Sequence, residues 1–186
     1  MNAAYIPNLI TVLRLLLVTP IVVGLLTHHY PLAFWLFMVA GLTDAIDGYL
    51  ARRFQWISRF GAMVDPLADK LLMVATFLTL GYLGILPLWL LTMVILRELV
   101  IVIGAVLYHL LIGEYDFIPT RISKVNTCLQ IVLIIGFMFN LSYNIIPGTV
   151  MKILMGLVFI TSFLSLTDYM WVWGQRAWRH NKKYIQ

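Results

Sequence analysis

Residues 32–50 read LAFWLFMVAGLTDAIDGYL, an apolar run that ends in two aspartates. An α-helix needs about 20 predominantly apolar residues to cross the hydrocarbon core of a bilayer, and this stretch has that length and composition. The rest of the chain is similarly apolar: hydrophobic residues make up 62% of its 186 residues and charged residues 11%, with a mean hydropathy of +0.93. This composition excludes a soluble globular protein, a disordered chain and a nucleic-acid-binding module, and it predicts an integral membrane protein.

The length leaves room for six such spans and no soluble domain, so we predict one all-α membrane domain over residues 1–186. Each span is predicted to be a helix, because a membrane segment must satisfy its own backbone hydrogen bonds. The start MNAAYIPNL lacks a basic region, so no signal peptide is predicted, and Cys128 is the only cysteine, which excludes an intramolecular disulfide. The predicted spans are Leu9–Leu26, Leu32–Leu50, Ala62–Tyr82, Leu86–Leu110, Ile122–Leu141 and Val150–Trp173.

Lysine and arginine are distributed unevenly between the two sets of connecting segments. Nine of them follow spans two, four and six, whereas the opposite connections carry only Lys152. Because cytoplasmic loops carry the excess of basic residues, we expect both termini on the cytoplasmic side. The nine residues are Arg52, Arg53, Arg59, Arg121, Lys124, Arg176, Arg179, Lys182 and Lys183.

Half of the eight acidic residues lie at the cytoplasmic ends of spans two and three. Asp44 and Asp47 are three residues apart and Asp65 and Asp69 are four apart, so each pair shares one face of its helix. Two spans joined by a short loop pack antiparallel, which lets the two pairs face each other across a cleft. The plain alternative is a set of interfacial charges at helix ends.

Clustered carboxylates repel one another, and an Asp inside a span costs roughly 2.5–3.5 kcal/mol on insertion scales, so the cluster requires compensating cations. Lys70, Arg52 and Arg53 could supply part of the positive charge. Carboxylates without His or Cys suit hard ions such as Mg²⁺ or Mn²⁺. Two such ions about 3.5–4 Å apart would suit a phosphoryl-type displacement. We therefore predict a site for two divalent cations, with Gly48 leaving room for a bulky ligand.

These residues form a specific pattern. The stretch from Asp44 to Asp69 matches D-x2-D-G-x2-A-R-x8-G-x3-D-x3-D at every fixed position. The chain thereby resembles the CDP-alcohol phosphatidyltransferase family, and the resemblance extends to the six-span architecture and so to essentially the whole chain. It implies transfer of a phosphatidyl group from a CDP-linked lipid to an alcohol, with release of CMP.

The resemblance also implies roles for the residues of the motif. Asp44, Asp47 and Asp65 would bind the two metal ions, and Asp69 would be a further ligand or the base for the acceptor hydroxyl. The nucleotide would fit beside the small residues, and an arginine would help to hold the donor. These donor-site residues are Gly48, Ala51, Gly61 and Arg52.

Other polar residues within the spans are few. Asn8, Thr11 and Arg14 recur at roughly helical spacing, and related enzymes begin with a similar P-N-x2-T-x2-R, which implies that this face lines the donor site. Alternatively, Arg14 extends to the lipid headgroups. Arg97 is in mid-span, where it should face a polar cavity and contact phosphate, or else form a salt bridge between helices. It need not pair with Glu98, since adjacent side chains point about 100° apart.

The segment Ile122-Ser-Lys124-Val-Asn126-Thr opens span five, on the side of the acidic cluster, and bears on the acceptor. Family members that use glycerol 3-phosphate usually carry G-K-x-K-T here, and two lysines suit a phosphomonoester. This chain has Asn126 in place of the second lysine and resembles the cardiolipin synthases, which carry I-S-K-V-N-T. Phosphatidylglycerol is the expected acceptor and Lys124 and Asn126 its expected contacts, with glycerol 3-phosphate as the alternative.

Two functions of other classes are less consistent with the sequence. The other cardiolipin synthase type uses paired H-x-K-x4-D motifs, which this chain lacks. A divalent-cation transporter would need acids near mid-membrane with access from both sides, whereas these cluster at one side. We expect a protein of the bacterial cytoplasmic membrane, with its site on the cytoplasmic side, that does not bind nucleic acid; the family resemblance implies a homodimer.

Overall fold

The computed structural model describes the backbone of residues 5–54, 59–112 and 120–184, and the side chains within 12–46, 68–104 and 120–171 together with that of Arg53. In these ranges all regular structure is helical, which confirms the predicted all-α class. The helices are α1 (Tyr5–Leu26), α2 (Tyr30–Phe54), α3 (Arg59–Tyr82), α4 (Leu88–Ile112), α5 (Arg121–Tyr143) and α6 (Gly148–Tyr184).

Each predicted span corresponds to one of these helices; α1 and α3 end at Leu26 and Tyr82 as predicted, and the other ends differ. The largest difference is in α6, which continues to Tyr184, whereas the span was predicted to end at Trp173. The prediction followed hydropathy, which falls where Arg176 begins a basic segment. A helical backbone does not require apolar side chains, so the helix extends beyond the apolar stretch.

Two helices of the described part are long and apolar enough to cross a membrane: Arg121–Tyr143 and the first part of α6, Gly148–Trp171. Shorter apolar stretches occupy Val12–Leu26 in α1 and Tyr30–Ile46 in α2. The most apolar window of α6 is only 22% buried, so most of its apolar side chains face outward. Six membrane spans and cytoplasmic termini stay predictions.

Three helices end in tight turns that use a left-handed residue. After α1, His28 has φ 61°, and the amides of His28 and His29 donate to the carbonyls of Leu25 (3.1 Å) and Gly24 (2.8 Å). This is the Schellman arrangement, which satisfies the last carbonyls of a helix. Gly84 (φ 70°) ends α3 in the same way, and Asn144 (φ 53°) ends α5 with one bond to the carbonyl of Asn140.

The helices separate into two compact units. The first contains α1, α2 and α3 together with Ile134–Pro147. In this unit α1 approaches α2 closely at Gly24, where an added Cβ would lie 3.3 Å from the Cβ of Ala33. Aromatic rings join α2 to the end of α5: Phe34 packs on Phe139, and the indole of Trp35 donates to the hydroxyl of Tyr143 (3.2 Å).

The second unit contains α6 and Leu88–Leu133, which is α4 and the first part of α5. Trp89 of α4 packs edge-on against Phe159 of α6. Farther along α4 the buried side chains are polar. Arg97 of α4, Ser123 of α5 and Ser165 of α6 are each less than a tenth exposed.

Candidate active site

Arg14 is the centre of the polar cluster in the first unit. Its side chain is wholly buried, and its guanidinium contacts two of the four predicted carboxylates. Nη1 donates to Oδ1 of Asp69 at 2.5 Å, and Nη2 lies 2.5 Å from Oδ1 of Asp44. The arginine comes from α1, Asp44 from α2 and Asp69 from α3. One guanidinium therefore joins three helices and brings together one aspartate from each of the two predicted pairs.

The two contacts of Arg14 differ in kind. The contact with Asp69 has the geometry of a hydrogen bond as well as of an ion pair, whereas Nη2 approaches Asp44 at ion-pair distance without hydrogen-bond alignment. We describe the second contact as an ion pair only, because close charges attract at any angle whereas a hydrogen bond weakens steeply with misalignment. The carboxylates are 40% and 46% exposed, so the charge that holds them lies on their buried side.

The predicted metal site is only partly described. Asp47 lies in α2 and Asp65 in α3, but their side chains are outside the described residues, and among the side chains that are described no group of three His, Cys, Asp or Glu could hold a metal ion. The donor chemistry present nevertheless fits Mg²⁺ or Mn²⁺, since Asp44 and Asp69 provide hard oxygen donors from two helices and each is about half exposed.

Several predicted donor-site residues also fall outside the described side chains, and their roles stay predictions. Of the predicted donor-site residues on α1, only Arg14 has a described side chain. Its buried position excludes the alternative that it extends to the lipid headgroups. The residues outside are Asn8, Thr11, Gly48, Ala51, Arg52 and Gly61.

Arg14, the cation that contacts Asp44 and Asp69, was not among the compensating charges predicted from the sequence. The predicted ones were Lys70, Arg52 and Arg53, beside the motif, and their contribution stays a prediction. The sequence did contain evidence for this contact. An arginine inside a span is almost always paired, and this chain has few acids with which Arg14 could pair.

A second polar cluster lies in the other unit, around Arg97 of α4. The arginine is 3% exposed, and protein atoms occupy its three nitrogens. Nε donates to Oγ of Ser165 (3.3 Å), Nη2 to Oγ of Ser123 (2.5 Å), and Nη1 forms an ion pair with Glu98. The sequence analysis left open whether the neighbours Arg97 and Glu98 pair, and they do. A phosphate contact of Arg97 stays a prediction, and it would require exchange of one of these partners.

Asn126 of α5 belongs to this cluster. It is fully buried, and its Oδ1 accepts hydrogen bonds from Oγ1 of Thr161 (2.8 Å) and Oγ of Ser162 (2.9 Å) on α6. Its Nδ2 has no partner within the described residues, and neither does Nε2 of Gln130, one helical turn farther on. Lys124 is exposed. Sequence reasoning singled out Asn126 and Lys124 but missed Gln130 and the serines of α6.

Comparison with known proteins connects these features to a family. The profile of the family described as CDP-alcohol phosphatidyltransferase matches residues 4–173. A CDP-diacylglycerol–glycerol-3-phosphate 3-phosphatidyltransferase of Cereibacter sphaeroides is 41% identical over 138 residues, which are 69% of this chain and 61% of that protein. A cardiolipin synthase (CMP-forming) of Rattus norvegicus is 31% identical over an alignment 187 residues long, which covers 90% of this chain and 61% of that protein.

A third relative is the probable phosphatidylglycerophosphate synthase of Mycobacterium tuberculosis, 32% identical over 174 residues, which are 90% of this chain and 80% of that protein. This chain spans about 61% of the length of the Cereibacter and rat proteins. The names of the relatives divide between cardiolipin synthase and the glycerol-3-phosphate phosphatidyltransferase or phosphatidylglycerophosphate synthase.

Proposed function

Because the chain belongs to the CDP-alcohol phosphatidyltransferase family, we propose that it transfers a phosphatidyl group from CDP-diacylglycerol to an alcohol and releases CMP. The observation that carries this proposal is the meeting of Asp44 and Asp69 on Arg14. Carboxylates from two helices are held together, about half exposed, in an otherwise apolar protein. Such an arrangement costs folding free energy, and ionisable residues inside membrane segments typically mark functional sites.

The aspartates of α2 and α3 are proposed to bind the metal ions. Asp44, Asp47, Asp65 and Asp69 would hold two divalent cations, Mg²⁺ or Mn²⁺. Bound there, the cations would neutralise the diphosphate of the donor and the charge on the departing CMP oxygen.

The reaction exchanges one bond to phosphorus for another. The acceptor hydroxyl attacks the phosphatidyl phosphorus in line, a new P–O bond forms, and the P–O bond to CMP breaks. The hydroxyl proton passes to the carboxylate of Asp69, which is exposed enough to be reached by a substrate.

We propose phosphatidylglycerol as the acceptor, with cardiolipin as the product. A phosphodiester carries one negative charge, and the segment Ile122–Thr127 of α5 contains one cation, Lys124, and the neutral Asn126. Glycerol 3-phosphate, which carries nearly two charges, is the second candidate, and the name of the Cereibacter relative favours it.

We also propose that all six helices cross the bacterial cytoplasmic membrane, with both termini and the aspartates on the cytoplasmic side, and that the protein is a homodimer. The exposure of large apolar side chains supports contact with lipid, since Leu16 is 65% exposed and Trp171 69%. Lipid substrates would then enter laterally between helices.

The test is CMP release by the purified protein with CDP-diacylglycerol and Mg²⁺ or Mn²⁺, offered phosphatidylglycerol or glycerol 3-phosphate separately. We expect release with phosphatidylglycerol that stops on addition of a chelator. Release with glycerol 3-phosphate alone would overturn the acceptor, and no release with either would overturn the transferase. Metal-dependent CMP release would also exclude a divalent-cation transporter.

A further inference from the structure

The contacts of Arg14 differ from the role that the resemblance implies for it. The resemblance implies a residue that lines the donor site, but the guanidinium is turned to protein carboxylates. We propose that Arg14 is a positioning residue that sets the orientation of Asp44 and Asp69 for divalent cations, and that it does not contact the lipid donor. This inference rests on the metal site of the proposed function.

Burial supports a role behind the carboxylates. The side chain of Arg14 is 0% exposed, whereas those of Asp44 and Asp69 are 40% and 46% exposed. A ligand that arrives from the exposed side meets the aspartates, while the guanidinium stays on their buried side. Arg14 therefore reaches the reaction only through the two acids.

The geometry supports a role in orientation. Each carboxylate directs Oδ1 to a different Nη atom of the same planar group. Since a guanidinium presents its donors in a rigid fork, the hydrogen bond from Nη1 orients the carboxylate of Asp69, and the ion pair with Nη2 holds Oδ1 of Asp44 2.5 Å from the same planar group although the two acids come from α2 and α3. Metal sites depend on such surrounding contacts, whose loss typically lowers metal affinity by 10–100-fold.

The electrostatics point the same way. Two carboxylates brought together repel each other, and a buried permanent positive charge offsets that repulsion before any cation arrives. Lysine would keep the charge but not the geometry, because its ammonium is a point charge on a flexible stem. Arg14→Lys therefore separates positioning from charge compensation.

The experiment measures Mn²⁺ binding to the purified full-length protein by titration calorimetry, without lipid substrates, and thermal unfolding in parallel. For Arg14→Lys we expect a folded protein whose Mn²⁺ affinity is at least tenfold weaker, and whose KM for CDP-diacylglycerol at saturating Mn²⁺ is unchanged. The matched control is Arg97→Lys, a buried arginine of the other unit, which should alter unfolding but leave Mn²⁺ affinity unchanged.

The outcomes separate this inference from the proposed function. If the unsubstituted protein binds Mn²⁺ and Arg14→Lys binds it equally well, Arg14 is only a structural ion pair and the inference is overturned. A raised KM for CDP-diacylglycerol with unchanged Mn²⁺ affinity would make Arg14 a donor contact and would also overturn it. Failure of the unsubstituted protein to bind Mn²⁺ would instead refute the metal site itself.

Discussion

Asn126→Lys is the substitution that tests acceptor choice most directly. It restores the second cation that family members using glycerol 3-phosphate usually carry, at a position where this chain has a neutral amide. The structure shows what the change removes. Asn126 is fully buried, and its Oδ1 accepts hydrogen bonds from Thr161 (2.8 Å) and Ser162 (2.9 Å).

The substitution lowers the stability of the fold and raises the attraction for the more highly charged acceptor. Loss of two hydrogen bonds lowers the free energy of unfolding by about 2 kcal/mol, at about 1 kcal/mol each, and burial of the ammonium lowers it by roughly several kcal/mol more, which is offset in part if the same hydroxyls turn to accept from it. The added charge favours the acceptor with the extra negative charge. Two unit charges 4 Å apart attract by about 4 kcal/mol at an effective dielectric constant of 20. If a third to two thirds of that is realised, about 1.3–2.7 kcal/mol, the preference shifts by about tenfold to hundredfold.

The assay is the ratio of kcat/KM for glycerol 3-phosphate to that for phosphatidylglycerol, measured by CMP release with CDP-diacylglycerol held saturating. The control is Cys128→Lys, which adds the same charge at an exposed position two residues farther along α5. We expect at least a tenfold rise in the ratio for Asn126→Lys and less than a threefold change for the control. A folded Asn126→Lys protein with an unchanged ratio would refute the charge argument.

Three further predictions follow from other residues. Asp69→Asn should reduce CMP release by about a thousandfold in a protein that still folds, with a lowered unfolding temperature because Arg14 keeps only the charge of Asp44 as partner. Asp168→Asn, a carboxylate of α6 outside the motif, should retain activity, and near-normal turnover of Asp69→Asn would end its assignment as base. Gln130→Leu should raise the free energy of unfolding in a denaturant titration by about 1–2 kcal/mol, since it removes an amide nitrogen, Nε2, that is buried without a partner in the described residues. Asn140→Leu, which loses the hydrogen bond from Ile146 (2.9 Å), should lower it; a destabilised Gln130→Leu would mean that Nε2 is satisfied by a bound group. Gly84→Ala should lower the same free energy by about 1 kcal/mol and His28→Gly should raise it slightly, because both positions have positive φ; equal effects of the two changes would contradict the turn geometry.

The helices could be predicted because hydropathy marks apolar stretches, and the ends of α1 at Leu26 and of α3 at Tyr82 were predicted correctly. The hydropathy pattern does not show how α1 is closed, which depends on His28 in the left-handed region. The end of α6 was predicted too early, at Trp173, because the basic segment after it reads as a connection, yet the backbone stays helical to Tyr184. Hydropathy reports which residues prefer lipid, and backbone hydrogen bonding does not depend on that preference.

The site was predictable only as far as spacing within a helix determines it. Residues three or four apart share a face whatever the rest of the fold does, so the two acidic pairs are predicted without any knowledge of packing, and the structure describes one side chain of each pair, Asp44 and Asp69. Arg14 meets Asp44 and Asp69 only because α1 packs against both α2 and α3 at one register, and no local pattern encodes that register. The small number of acidic residues, eight in 186, limits the possible partners of a buried arginine. Arg14 and Arg97 are both almost fully buried, and each is in contact with an acid. A buried arginine in an apolar chain can therefore be assigned a carboxylate partner in advance, and the remaining question is which carboxylate the helix packing brings within reach.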